Sequence, residues 1–282
     1  EAVIDDLYVA AYSRKPTDNE RAALLKAVNE SPDQRQALED ATYHRTFAVA
    51  RDAAPDIPIV GNIGAAEVAT MRDASAALRL IALIRADAFT VHLNPLQELL
   101  QPEGTPRFRG VLDGIALLVR ELPVPVIVKE IGAGLSADVV ARLLDAGVRI
   151  IDVAGAGGTS WAGVELLRGG NGYSGETFWD WGIPTATAVR EAAALRTPGR
   201  PFTLVASGGI ASAMDAARAI ALGADLAASA RPMIRELTKG GRRALERLLL
   251  RWQRDLQGIM FLTGSRTIAD LQKAPLVRRH RE

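Results

Sequence analysis

From residue 57 onward the sequence alternates short β-branched runs with Ala/Leu/Arg-rich stretches of helical period. That alternation restricts the fold more than any other feature. The strand candidates are residues 57–62 (IPIVGN), 88–94 (AFTVHLN), 124–130 (VPVIVKE), 149–154 (RIIDVA), 203–207 (TLVAS) and 226–230 (LAASA). Helices are expected between them, over 65–85, over 136–146 from Ser136 to a stop at Gly147, and over 212–222 before Gly223. Nearly continuous apolar strands joined by helices predict a parallel sheet covered on both faces. Polar residues fall at successive strand ends: Asn62, His92, Asn94, Lys129, Glu130, Asp152 and Ser207. A (β/α)8 barrel assembles its site from such ends, whereas an open doubly wound sheet concentrates it at one switch point. The expected fold is therefore α/β, a TIM (β/α)8-type barrel, incomplete because about six parallel strands are visible where closure needs eight.

The organisation expected along the chain is a helical segment over 1–40 and a barrel domain over 41–282. In the first segment Thr17 and Glu20 form a capping box. After residue 235 the pattern predicts a long helix through Gln257, then a short one near 267–271.

Composition narrows the function. The 282 residues carry 34 Lys+Arg against 33 Asp+Glu, so no global charge favours nucleic acid. There is no cysteine, which excludes disulfides, thiolate catalysis and Cys-based metal sites. No apolar run is long enough for a membrane span, and the first residues lack the pattern of a signal peptide. The expectation is a cytoplasmic, homo-oligomeric enzyme acting on a small molecule, with no membrane and no nucleic-acid partner.

The densest polar constellation is His92-Leu93-Asn94-Pro95-Leu96-Gln97-Glu98. Alternation places His92 and Asn94 on one side, and Pro95 sends Gln97 and Glu98 into the following loop. Gln97 has an amide able to hold a proton donor or acceptor, and Glu98 is a hard oxygen ligand suited to Mg²⁺ beside phosphate. The plainer alternative is a polar loop with a helix-capping Glu. Lys129 ends an otherwise apolar strand; it serves either an anion such as a phosphate or flavin ring, or an ion pair with Glu130 or Asp152. The loop Gly155-Ala156-Gly157-Gly158 permits close approach of a ligand but has no dinucleotide spacing. Ser207-Gly208-Gly209 and Ser229-Ala230-Arg231 sit at the last two strand ends, where barrels commonly cradle phosphate.

Together these stretches resemble one family. GNIGA, HLNPLQE, the PEG and FRG segments, VKEIGAGLS, DVAGAGGTSW, WGIPTA, ASGGI, ARPMI and FLTGSRTIADL are similar to type 2 isopentenyl-diphosphate isomerases from about Gln34 onward. The resemblance implies an FMN-dependent TIM barrel that uses reduced flavin and Mg²⁺, with NADPH as reductant, to interconvert isopentenyl and dimethylallyl diphosphate. It implies that Asn62, Lys129, Thr159 and the backbone near Ala154 contact FMN, and that Gly208, Gly209, Ala230 and Arg231 hold its phosphate. It further implies that His92 and Asn94 face the substrate diphosphate, that Gln97 is the catalytic group by the allylic carbons, and that Glu98 binds Mg²⁺. Gln34 and Arg35 match the end of a substrate-binding Gly-Ser-Gln-Arg motif, with Asp33 in place of its Ser. The family's Arg-Lys…His and Met-Thr-Gly-Gly motifs are missing, which implies impaired turnover. The alternative is a flavin- or phosphate-binding remnant without catalysis. A 2-hydroxy-acid oxidase is disfavoured, because no His stands at a late strand end.

Overall fold

The computed structural model describes residues 44–169 and 172–277. Gln34, Arg35 and the 1–40 segment lie outside the described residues. Six strands alternate with helices: β1 (Val60–Gly64), β2 (Ala88–His92), β3 (Val126–Lys129), β4 (Ile150–Asp152), β5 (Thr203–Ala206) and β6 (Leu226–Ala227). The helices are α1 (His44–Ala53), α2 (Ala65–Val68), α3 (Ser75–Ile84), α4 (Pro95–Leu100), α5 (Val111–Glu121), α6 (Ala137–Asp145), α7 (Trp161–Arg168), α8 (Gly175–Phe178), α9 (Thr185–Ala193), α10 (Ala213–Ala221), α11 (Arg231–Leu262) and α12 (Ile268–Leu271). Strand order follows the sequence, β1-β2-β3-β4-β5-β6. This is the expected α/β strand–helix repeat, with six parallel strands among the described residues.

The chain divides into two compact units. The first runs through Lys129 and takes in Ala141–Ile151 and Trp161–Trp179; the second comprises Glu130–Val140, Asp152–Ser160 and the chain from Asp180.

In the first unit β1, β2 and β3 pair in parallel, with Asn62 beside Thr90, Gly64 beside His92, and His92 beside Lys129. Because side chains alternate along a strand, Asn62, Thr90, His92 and Lys129 share one face of these strands. The other face carries Ile63, Phe89, Val91, Val126 and Val128, all buried. Helices α2 and α5 add Val68, Ile115 and Leu118, also buried. Truncating fully buried Phe89 would cost about 3–5 kcal/mol. The apolar face thus anchors the strands and leaves the polar face for chemistry.

In the second unit β5 and β6 pair in parallel, Val205 beside Leu226. The chain leaving β4 joins them where Val153 N–H donates to the Val205 carbonyl at 3.2 Å. Helix α11 packs Leu256, Ile259 and Met260 against Ala217, Ile220 and Leu271 of α10 and α12.

Several boundaries differ from the sequence reading. The helix expected over 65–85 is two helices, because Asp73 Oδ1 accepts from Ser75 N–H at 2.9 Å and starts α3 afresh. β1 begins at Val60, so Asn62 lies within it rather than at its end. Gln97 and Glu98 lie in helix α4 with Pro95 in its first turn, not in a loop. The long helix starts at Arg231 and kinks at Gly240 and Gly241, where φ is −143° and 63°. Ser136, Ser212 and Thr267 do cap α6, α10 and α12, each accepting from a backbone N–H three residues on.

Candidate functional site

In the first unit the polar face of the strands runs into α4. Gly64, His92 and Lys129 stand side by side at the strand ends. Burial, with the Lys129 charge, pushes the His92 imidazole down from 6.5 to about 4 against the opposing pull of Glu98. His92 is therefore neutral at pH 7.

The strand alternation stops at His92, and Asn94 folds onto α4 instead. It occupies the N-cap position and is 4% exposed. Its Nδ2 donates to Glu98 Oε1 at 2.9 Å and to Gln97 Oε1 at 3.4 Å. Its Oδ1 is buried and has no hydrogen-bond partner among the described residues. A buried acceptor in that state calls for a further donor.

Gln97 Nε2 donates to Glu165 Oε1 at 3.0 Å. Glu165 lies on α7 and is 3% exposed. Arg168 pairs with it through Nη1 at 2.6 Å and with Glu103 through Nη2 at 2.7 Å. Glu98 Oε2 accepts from Thr105 N–H at 2.8 Å. A Cβ on Gly104 would collide with the Glu98 carbonyl, so this loop needs glycine there. Glu103, Thr105, Glu165 and Arg168 join the hydrogen bonds around Gln97 and Glu98, and the sequence reading did not single them out. The only signal was a Glu and an Arg set in the apolar helix WAGVELLR.

The second unit holds the glycine loops. The Asp152 carboxylate, 7% exposed, accepts from Ser207 Oγ at 2.8 and 2.9 Å and from Ala154 N–H at 3.1 Å. Ala154 is held at φ 36°, an uncommon conformation for a residue with a Cβ. Glu130 Oε2 accepts from the N–H groups of Ile131, Gly132 and Ala133 at 2.6, 2.7 and 2.6 Å. Thr185 Oγ1 donates to the Gly208 carbonyl at 2.6 Å. Side chains on Gly208 and Gly209, both at positive φ, would collide with the carbonyls of Gly155 and Gly157. Their glycines are thus required by the adjacent loop, a reason that sequence spacing did not supply. Thr159 is half-buried, whereas Gly209, Ala230 and Arg231 are exposed. Ala230 precedes α11 with no side-chain cap, Pro232 in the first turn carries no N–H, and the Met233 and Ile234 N–H groups donate to the Ala230 carbonyl at 3.0 and 3.1 Å.

The residues present suit an anionic cofactor and a hard cation. In the second unit the backbones of Gly208 and Gly209 lie against those of Gly155 and Gly157, close packing that only glycines permit. In the first unit Glu98 is a single carboxylate beside an orphaned acceptor. No cluster of three or more His, Asp or Glu able to hold a metal occurs among the described residues. One carboxylate plus substrate phosphates is how Mg²⁺ is often held.

The comparisons with known proteins support a flavin cofactor. The family described as FMN-dependent dehydrogenase matches residues 90–278. An isopentenyl-diphosphate delta-isomerase of Chlorobium luteolum is 50% identical over 250 residues, covering 84% of this chain and 68% of that protein. The chain belongs to the isopentenyl-diphosphate delta-isomerase family. A further member, from Pelodictyon phaeoclathratiforme, is 44% identical over 282 residues, covering 94% of this chain and 78% of its own. Among solved structures a lactate oxidase of Pediococcus acidilactici shares the fold, with TM-score 0.61, 17% identity and coverage of 83% of this chain and 65% of that one. In this isomerase-family chain the HLNPLQE segment places His92 at the end of β2, Asn94 at the cap, and Gln97 and Glu98 on α4.

Proposed function

We propose that this chain interconverts isopentenyl and dimethylallyl diphosphate with reduced FMN and Mg²⁺, NADPH supplying the reducing equivalents. The observation that carries the reading is the side-chain amide of Gln97, held between buried Glu165 and Asn94 beside the Glu98 carboxylate. Isomerisation of an allylic system moves a proton on and off carbon, which calls for groups that hold protons in place. Glu165 and Gln97 supply such a pair away from bulk water. His92 and Asn94 would face the diphosphate, with the neutral His92 imidazole able to donate to it. Glu98 would hold the metal.

Thr159 and the Ala154 loop of the second unit would contact the flavin, with Gly208, Gly209, Ala230 and Arg231 at its phosphate. When bound, the reduced flavin supplies an acid–base group and Mg²⁺ neutralises the diphosphate charge. The names of the relatives support the substrate, and the FMN-dependent family supports the cofactor.

The test is conversion of isopentenyl diphosphate by the purified chain with FMN, NADPH and Mg²⁺, followed by NMR, with each component left out in turn. Product is expected only from the full mixture. Glu98→Gln is expected to keep flavin absorbance and lose Mg²⁺-dependent turnover, since a neutral amide is a poorer ligand for a hard cation. Unchanged turnover of that variant at limiting Mg²⁺ would remove Glu98 from the metal.

A further inference from the structure

The polar groups around Gln97 close into a circuit. Starting on the loop after α4, Glu103 accepts from Arg168 at 2.7 Å, and Arg168 donates to Glu165 at 2.6 Å. Glu165 accepts from Gln97 at 3.0 Å, and Gln97 accepts from Asn94 at 3.4 Å. Asn94 donates to Glu98 at 2.9 Å, and Glu98 accepts from Thr105 at 2.8 Å, which returns the circuit to the loop that carries Glu103. A primary amide has a donor end and an acceptor end, and a ring of this kind fixes which end faces which way.

We infer that Arg168 is a positioning residue for Gln97, acting through Glu165 and braced by Glu103. This inference rests on the isomerase reading and names how its proton-holding pair is oriented. Glu165 is 3% exposed, and a buried carboxylate that loses its cation turns out toward water. The Gln97 amide then loses its acceptor and is free to reverse. The guanidinium holds Glu165 in place. Its two terminal nitrogens go to different carboxylates, and the planar fork fixes both bonds at once where the compact ammonium of Lys orients them less strictly. Partial burial lowers the basicity of Arg168, but Glu103 and Glu165 outweigh it and hold the group above its usual value. The Glu103 side chain is 60% exposed, so it braces Arg168 from the solvent side and is removable without opening the core.

The test uses the full flavin-loaded chain. In Arg168→Ala kcat should fall roughly ten- to hundred-fold while KM for isopentenyl diphosphate stays within about twofold, because Arg168 acts through Glu165 rather than on substrate. Arg168→Lys should recover part of the loss. Glu103→Gln, on an exposed side chain, should lower kcat in the same sense at unchanged KM, and it carries the test alone if Arg168→Ala does not fold. An activity-independent reading comes from the Gln97 side-chain amide resonance in labelled protein, which should shift in both the Arg168 and Glu103 variants. A parent-like kcat, a loss confined to KM, or an unmoved Gln97 resonance would overturn the inference. A parent chain that forms no dimethylallyl diphosphate would instead overturn the isomerase reading.

Discussion

His92 shows how one residue reports on its surroundings. Its imidazole is depressed to about 4 by burial and by Lys129, with Glu98 pulling the other way. The unfolded chain takes up this proton near 6.5, as ordinary histidine does, and the folded chain only near 4. Between those values the unfolded state binds more protons, so stability from this group is complete above 6.5 and is lost as pH falls through the window. Between pH 7 and pH 5 the loss should be on the order of 1–2 kcal/mol. Denaturant unfolding of the parent and His92→Gln at both pH values measures it. The variant should lose less stability than the parent over that interval. Equal losses would mean that His92 is not held neutral. Sequence placed His92, Asn94, Gln97 and Glu98 together because they are neighbours in the chain. It did not place Glu165 or Arg168, which reach Gln97 only through the packing of α7 against α4.

At the scale of elements, strand and helix order was legible because apolar period and Gly, Ser and Thr punctuation agree over most of the chain. Where punctuation hides inside a periodic stretch, the reading slipped. Asp73 restarted a helix that looked continuous, and Gly240-Gly241 kinked one that looked straight. The glycine loops were legible as loops, but not the reason for their glycines. Gly208 sits at φ 93°, and a Cβ there would run into the Gly155 carbonyl, whereas Gly169 at φ 72° has nothing nearby. Gly208→Ala should therefore destabilise by about 3 kcal/mol or more and release flavin, while Gly169→Ala pays only the backbone strain of about 1 kcal/mol. Thermal melts together with flavin absorbance after dialysis measure both. Equal shifts in the two variants would show that the loops yield to a side chain.

At the scale of the molecule, each unit carries its own polar groups. The first has the carboxylate, amide and imidazole groups, and the second has the glycine loops. The six strands among the described residues were legible from sequence, as was the absence of cysteine and of a charge excess. Among the described residues no helix is long and apolar enough to cross a membrane. We propose that the Gln97 amide orients the proton moved in an allylic isomerisation. The most direct measurement is dimethylallyl diphosphate formation in D₂O by the parent and by Gln97→Ala, at matched flavin occupancy. The parent should form product carrying solvent deuterium, and Gln97→Ala should do so about a hundredfold more slowly with KM little changed. Product formation by Gln97→Ala at the parent rate would contradict the account.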